Sequence, residues 1–158
     1  MKKLIYVFLC VSVICYFGCG KTAPDNPACT NISPFQDSTA LIKYAADSIK
    51  TVWDSTGIYY QIIDSGTGAR PSGGSYLTVN YVGRLMNNFI FDSASNTQLN
   101  GYTLNQLIKG WQIGLPKIRK GGHIKLLIPS YWAWGCNGYG SVPANAPVYF
   151  DVELLDVR

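Results

Sequence analysis

From Gly57 to the end of this chain, apolar side chains recur at every second position, in short runs broken by glycine, proline and asparagine. That period belongs to β-strands, in which successive side chains leave opposite faces. Ile58, Tyr60 and Ile62 alternate with Tyr59, Gln61 and Ile63 until Gly66-Thr67-Gly68 ends the run. Leu77, Val79 and Tyr81 alternate with Thr78, Asn80 and Val82. Asparagine tolerates the positive φ of a tight hairpin turn, so Asn87-Asn88 is expected to reverse the chain into Phe89-Ile90-Phe91. Ile124, Leu126 and Ile128 share a face opposite His123 and Lys125. Val148, Phe150, Val152 and Leu154 share one opposite Tyr149, Asp151 and Glu153. Strands with one apolar face each predict an antiparallel sheet, packed on one side and wet on the other.

Something must cover the apolar face. The one helical candidate inside this region is the segment around Gly110–Leu115, where Ile108, Trp111 and Leu115 fall on one side. Pro116 limits it to about two turns. The predicted fold is therefore α+β, a curved antiparallel sheet wrapped around one short α-helix. Upstream, Ala40, Leu41, Tyr44, Ala45 and Ile49 recur at three- and four-residue spacing between Gln36 and Trp53. They predict an N-terminal helical extension of about three turns, capped by Asp37 or Ser38 and packed on the domain that follows.

The start of the chain is an address. Lys2-Lys3 precedes the apolar run Leu4–Phe17, which is short of the ~20 residues needed to cross a bilayer and matches a signal-peptide core. Gly18-Cys19 resembles a lipoprotein box, with Cys19 as the lipidated N-terminus, although Tyr16 stands where a branched aliphatic residue is usual. The expected organisation is a signal peptide over 1–18, a tether over 19–35, the helical extension over 36–55 and the sheet domain over 56–158. The expected location is the cell envelope at the outer membrane, with the membrane as a partner through the lipid. Removing Lys2 and Lys3 from the 13 basic residues leaves 11 against 9 acidic ones, a net of +2. The Lys117–Lys120 stretch reads as a solvated face, and no nucleic-acid partner is implied.

Cys10 and Cys15 belong to the apolar run. Cys29 and Cys136 remain, and an oxidising compartment would permit them to pair. Cys29 lies in the tether, however, so two free thiols are expected. With no Cys-x-x-Cys pair and His123 as the only histidine, no metal site is expected. His123, on the solvent side of a strand beside Lys125, gives no support to a Ser-His-Asp system. The glycines of Gly66–Gly68 and Gly73-Gly74 read as turns rather than a phosphate cradle. An enzyme built from this chain works without nucleophile, metal or proton relay.

Aromatic residues instead concentrate near turns: Tyr81, Phe91, Trp111, Tyr131, Trp132, Trp134, Tyr139 and Phe150. Five segments then occur in order. They are Val79–Gly83, Phe91-Asp92-Ser93-Ala94, Leu107–Trp111, Ile128–Gly135 and Val148–Leu155. From about Gly57 to the C-terminus the chain resembles the FKBP-type peptidyl-prolyl cis-trans isomerases. The resemblance implies a pocket for a prolyl ring in proline-containing polypeptides, with no cofactor. Trp111 would be its floor, and Tyr81, Phe91, Leu107, Ile108, Val142 and Phe150 its walls. Asp92 would stand at the edge within reach of the Tyr81 hydroxyl. Trp134 occupies the place of the family's hydrogen-bonding tyrosine, with Tyr139 beyond it at the substrate-binding rim. An aromatic common near Asn100 is missing, and Ala144 stands where a second proline is usual. The altered rim leaves open a non-catalytic proline-peptide-binding or chaperone lipoprotein, or a surface lipoprotein whose fold is reused for adhesion.

Overall fold

The computed structural model describes residues 28–48 and 50–158. Cys19, the apolar run before it and Ile49 lie outside the described residues. Helix α1 (Ser38–Ser48) is followed by six strands: β1 (Val52–Trp53), β2 (Tyr59–Asp64), β3 (Tyr76–Leu85), β4 (Ile90–Thr103), β5 (His123–Ile128) and β6 (Val148–Val157). Helix α2 (Lys109–Gly114) lies between β4 and β5. The strands form one sheet in the order β1-β2-β5-β6-β3-β4, and every neighbouring pair is antiparallel.

The alternating pattern decides which face is packed. Leu77, Val79, Ile124, Leu126, Ile128, Val148, Phe150, Val152 and Leu154 are buried in one core. Trp111 and Leu115 enter it from α2 and the turn that follows. The helix comes close enough because its contact face carries glycine. A Cβ on Gly110 would strike the Ile128 side chain, and one on Gly114 would lie 2.6 Å from Leu126 Cδ2. Pro116 then converts α2 into one tighter turn over Leu115–Lys117.

Strand β4 is longer than the Phe89-Ile90-Phe91 signal suggested and runs for 14 residues. The reversal before it falls where asparagine predicts it. Asn88 has φ 67°, and its N–H donates to the Leu85 carbonyl at 2.9 Å. The β3–β4 register shifts between Tyr76 and Thr78, between Val79 and Tyr81, and between Gly83 and Arg84. Such irregularities bend a strand and re-aim its side chains.

The outer face is not uniformly wet, contrary to expectation. Leu127 and Tyr149 point away from the main core and are covered by Leu41 and Ala45 of α1. The Tyr44 and Tyr149 rings meet at 5.4 Å. The helix packs on the sheet as predicted, although Ala40 faces outward. Helix and strands each present a half-apolar surface, and neither sequence pattern alone reveals that the two surfaces meet.

Asp37 differs from its expected role. Its backbone carbonyl starts the helix by accepting from the Leu41 N–H at 3.1 Å. Its carboxylate instead accepts from the Ser130 N–H and hydroxyl, both at 2.7 Å. Both residues are buried. Asp37→Ala leaves two buried donors without an acceptor, so equilibrium urea unfolding is expected to show a loss of about 2–4 kcal/mol. A loss below 0.5 kcal/mol would show the pair to be dispensable.

Three further expectations are corrected. Cys29 and Cys136 are joined in a disulfide, with Cα atoms 5.5 Å apart. The stretch carrying Cys29 is docked onto the domain, and docking brings together thiols 107 positions apart in sequence. The Lys117–Lys120 stretch is engaged rather than simply solvated. Lys117 pairs with Asp54 at 3.0 Å and lies over the Tyr60 ring at 4.5 Å, and Lys120 pairs with Asp156 at 2.6 Å. The pairing of Asp156 with Lys120 and Arg158 lowers its pKa to about 2. His123 lies on the outer face but is half-buried and hydrogen-bonded to Asp151.

Candidate active site

A cleft of about 140 Å³ opens between the concave side of the sheet and α2. Its lining is Tyr81, Asp92, Leu99, Leu107, Ile108, Trp111, Trp134 and Phe150. Trp111 is only 4% exposed. It is delivered by α2, whose first turn follows the extended Leu107-Ile108 segment. Gln112 locks that entry by donating from its amide to the Leu107 carbonyl at 2.7 Å. Around Trp111 the walls stand nearly perpendicular. Tyr81 meets it at 5.4 Å and 85°, and Phe150 at 5.2 Å and 83°. Edge-to-face packing of this kind is favoured by the ring quadrupoles and leaves a slot between the walls.

Tyr81 and Phe150 enter the cleft from neighbouring strands, β3 and β6, because odd positions of one and even positions of the other face the core. Asp92 arrives on β4 opposite Gly83, and its carboxylate accepts from the Tyr81 hydroxyl at 2.6 Å. Burial first, then the Asp92 hydrogen bond and charge, push the Tyr81 phenol above its ordinary pKa. The phenol therefore stays protonated and serves as a donor. Its raised value makes a stabilising contribution that is fully present below the ordinary tyrosine value of about 10 and is lost only in stronger alkali.

Phe91 stands behind the Trp134 wall, edge-on to Trp134 at 5.7 Å and to Phe150 at 5.5 Å. Together with Asp92, Trp134, Tyr139, Gly140 and Ser141 it lines a second groove beside the cleft. Tyr139 is 70% exposed and stacks on Trp134 at 5.7 Å and 10°. Val142 shares the core with Trp111 and Phe150 but, unlike them, is not among the residues lining the cleft. Leu99 is the lining residue that the sequence pattern missed. It lies within the irregularity between Gln98 and Thr103 of a bent strand, in a stretch with no clean alternation, so no periodic signal marked it. It lies beside the position where the family's aromatic was missed, and a smaller aliphatic wall takes that place. Among the described residues no three His, Cys, Asp or Glu side chains group to hold a metal ion.

A bent antiparallel sheet closing over one short helix, with an aromatic slot edged by the Tyr81–Asp92 hydrogen bond, defines a small, mainly apolar binding site. The chain belongs to the FKBP-type peptidyl-prolyl cis-trans isomerase family, whose family model matches residues 68–155. It is 40% identical over 118 residues to the FKBP-type peptidyl-prolyl cis-trans isomerase FkpA of Escherichia coli strain K12, an alignment spanning 73% of this chain and 43% of FkpA. The crystal structure of E. coli FkpA superposes with a TM-score of 0.70 at 35% identity, covering 80% of this chain and 59% of that one. A peptidyl-prolyl cis-trans isomerase from Pseudomonas syringae pv. tomato superposes at 0.65 with 29% identity, covering 81% and 98%. The chain thus spans less than half the length of E. coli FkpA.

Proposed function

We propose that this protein accelerates cis-trans isomerisation of X-Pro bonds in exported polypeptides while anchored to the cell envelope through a lipid on Cys19. The observation that carries the catalytic part is the slot itself, with Trp111 as floor and Tyr81 and Phe150 as perpendicular walls. Rotation about an X-Pro amide faces a barrier of ~18–20 kcal/mol that arises from resonance in the planar form. The planar amide is also the more dipolar one, so water favours it over the twisted transition state. An apolar slot withdraws that advantage and holds the ring while the amide twists. Catalysis is then tighter binding of the twisted form, with no bond made or broken. Tyr81, kept protonated by burial and by its hydrogen bond to Asp92, holds its ring as a fixed wall of the slot.

A protease-coupled assay on a Leu-Pro or Phe-Pro tetrapeptide tests the reading. Since no proton moves, kcat/KM should be nearly flat between about pH 6 and 8, and a bell-shaped profile would contradict the mechanism. Asp92→Asn keeps an acceptor for the Tyr81 hydroxyl, so it should lower the rate less than removal of the Trp111 ring does. Restoring a hydroxyl with Trp134→Tyr should raise the rate if the rim limits turnover. Tight peptide binding with no turnover would favour the non-catalytic binding reading instead.

The Cys29–Cys136 disulfide supports an oxidising compartment and hence export. No helix among the described residues is long and apolar enough to cross a membrane. Radioactive fatty acid should label the wild-type chain in cells and leave Cys19→Ala unlabelled; equal labelling would refute the anchor.

A further inference from the structure

The segment before α1 is fastened to the residues between β5 and β6 at four points. Cys29 is disulfide-bonded to Cys136. The Thr30 carbonyl accepts from the Asn145 amide at 3.3 Å, and Asn31 Oδ1 accepts from the Cys136 N–H at 2.8 Å. Asp37 holds Ser130 through the two hydrogen bonds described above. Gly135, at φ +54°, completes the fit, because a Cβ there would fall on Asn31 Oδ1. Glycine is needed for the turn and equally for the strap that rests on it.

The loop gripped in this way carries Trp134, which lines the cleft, and Tyr139, which lines the groove beside it. Trp134 immediately precedes Gly135, and Tyr139 stacks on Trp134. The loop has internal ties of its own. The Asn145 N–H donates to the Gly135 carbonyl at 2.7 Å, and Tyr139 and Val142 form an isolated bridge. Its outer surface nevertheless meets solvent, with Tyr139, Gly140 and Ser141 exposed. On the side away from the cleft, the backbone at Cys136 is oriented by Asn31 and its side chain is tied to Cys29. The floor and inner walls, Trp111, Tyr81 and Phe150, stand on α2, β3 and β6, and none of the four fastenings touches them.

We propose that Asn31, anchored by the Cys29–Cys136 disulfide, is a positioning residue for the prolyl cleft: it pre-orders the loop so that Trp134 and Tyr139 are already in place for the polypeptide flanking the proline. This rests on the isomerase reading. A loop ordered before the substrate arrives costs less to order during binding, and that difference enters affinity. The twist of the amide takes place against Trp111, Tyr81 and Phe150, which the strap leaves alone. The strap therefore acts on KM and leaves kcat nearly unchanged.

The test compares Asn31→Ala, Asn31→Asp and the Cys29→Ser/Cys136→Ser double variant in the full chain, well below their unfolding temperatures. It measures kcat and KM separately on a proline tetrapeptide, and amide hydrogen exchange across residues 133–141. Loss of one hydrogen bond of ordinary strength corresponds to about a fivefold rise in KM for Asn31→Ala, with kcat held within about twofold. Exchange across the loop should quicken in parallel. Asn31→Asp keeps the acceptor oxygen and should restore both readouts, which a general loss of stability would not do. The double variant should match or exceed Asn31→Ala. Unchanged KM in Asn31→Ala and in the double variant, or a fall in kcat with KM constant, would overturn the proposal. A wild-type chain without turnover would mark instead the failure of the isomerase reading on which it stands.

Discussion

Trp111→Leu is expected to lower kcat/KM for a Leu-Pro or Phe-Pro peptide at least tenfold while the domain stays folded. Tenfold corresponds to ~1.4 kcal/mol of transition-state stabilisation. The expectation follows from the position of the indole, almost fully buried beneath the cleft and touched by both walls at near-right angles. Leucine retains an apolar group on α2, so Leu115 and the turn after it keep their cover. It leaves space where the ring was, so a stability loss of about 1–3 kcal/mol is expected from the cavity. One feature offsets part of that loss. The Trp111 indole N–H is buried with no acceptor among the described residues, and leucine removes this unpaired donor. Turnover and urea unfolding should be measured on the same preparation. A folded variant with full turnover would show that the aromatic cluster is core and nothing more.

Cys29→Ser/Cys136→Ser should be among the most destabilising surface changes available. The bridge closes a loop across a sequence separation of 107. Chain entropy alone assigns a closure of that length roughly 4–5 kcal/mol, and native bridges commonly contribute about 2–5 kcal/mol. For a domain of this size the melting temperature should fall by roughly 10 °C or more. Alkylation mapping of the unreduced, unfolded chain should find Cys29 and Cys136 protected and joined in one cross-linked peptide. Free thiols at both positions, or a melting temperature unchanged by reduction, would remove the bridge from the account. The hydrogen bonds from Ser130 to Asp37 persist in the double variant, so the loss should be progressive rather than a failure to fold.

Much of the site was legible before any fold was in view. Tyr81 and Phe150 fall on the apolar side of clean two-residue alternations, and burial follows from that period alone. Trp111 falls on the apolar side of a helix that Pro116 bounds, and a short helix facing a sheet must bury that side. Asp92 directly follows a core aromatic, and a carboxylate so placed needs a donor, which the Tyr81 hydroxyl supplies. Leu99 was not legible, since irregular pairing along β3 and β4 erases the period that would mark it. Val142 was assigned a wall position by resemblance, yet it is not among the residues that line the cleft.

What the sequence determined by itself, then, are the properties carried by neighbours along the chain: strand and helix periods, the stop at Pro116, the turn at Asn88 and the aromatic content of the cleft. Only the tertiary structure decided which separated surfaces meet. The packing of α1 on Leu127 and Tyr149, the capture of Ser130 by Asp37 and the joining of Cys29 to Cys136 each link residues about 80 to 110 positions apart. Contacts of that range depend on loop closure and on the fit of two half-apolar faces. Neither leaves a periodic trace in the residues that make them.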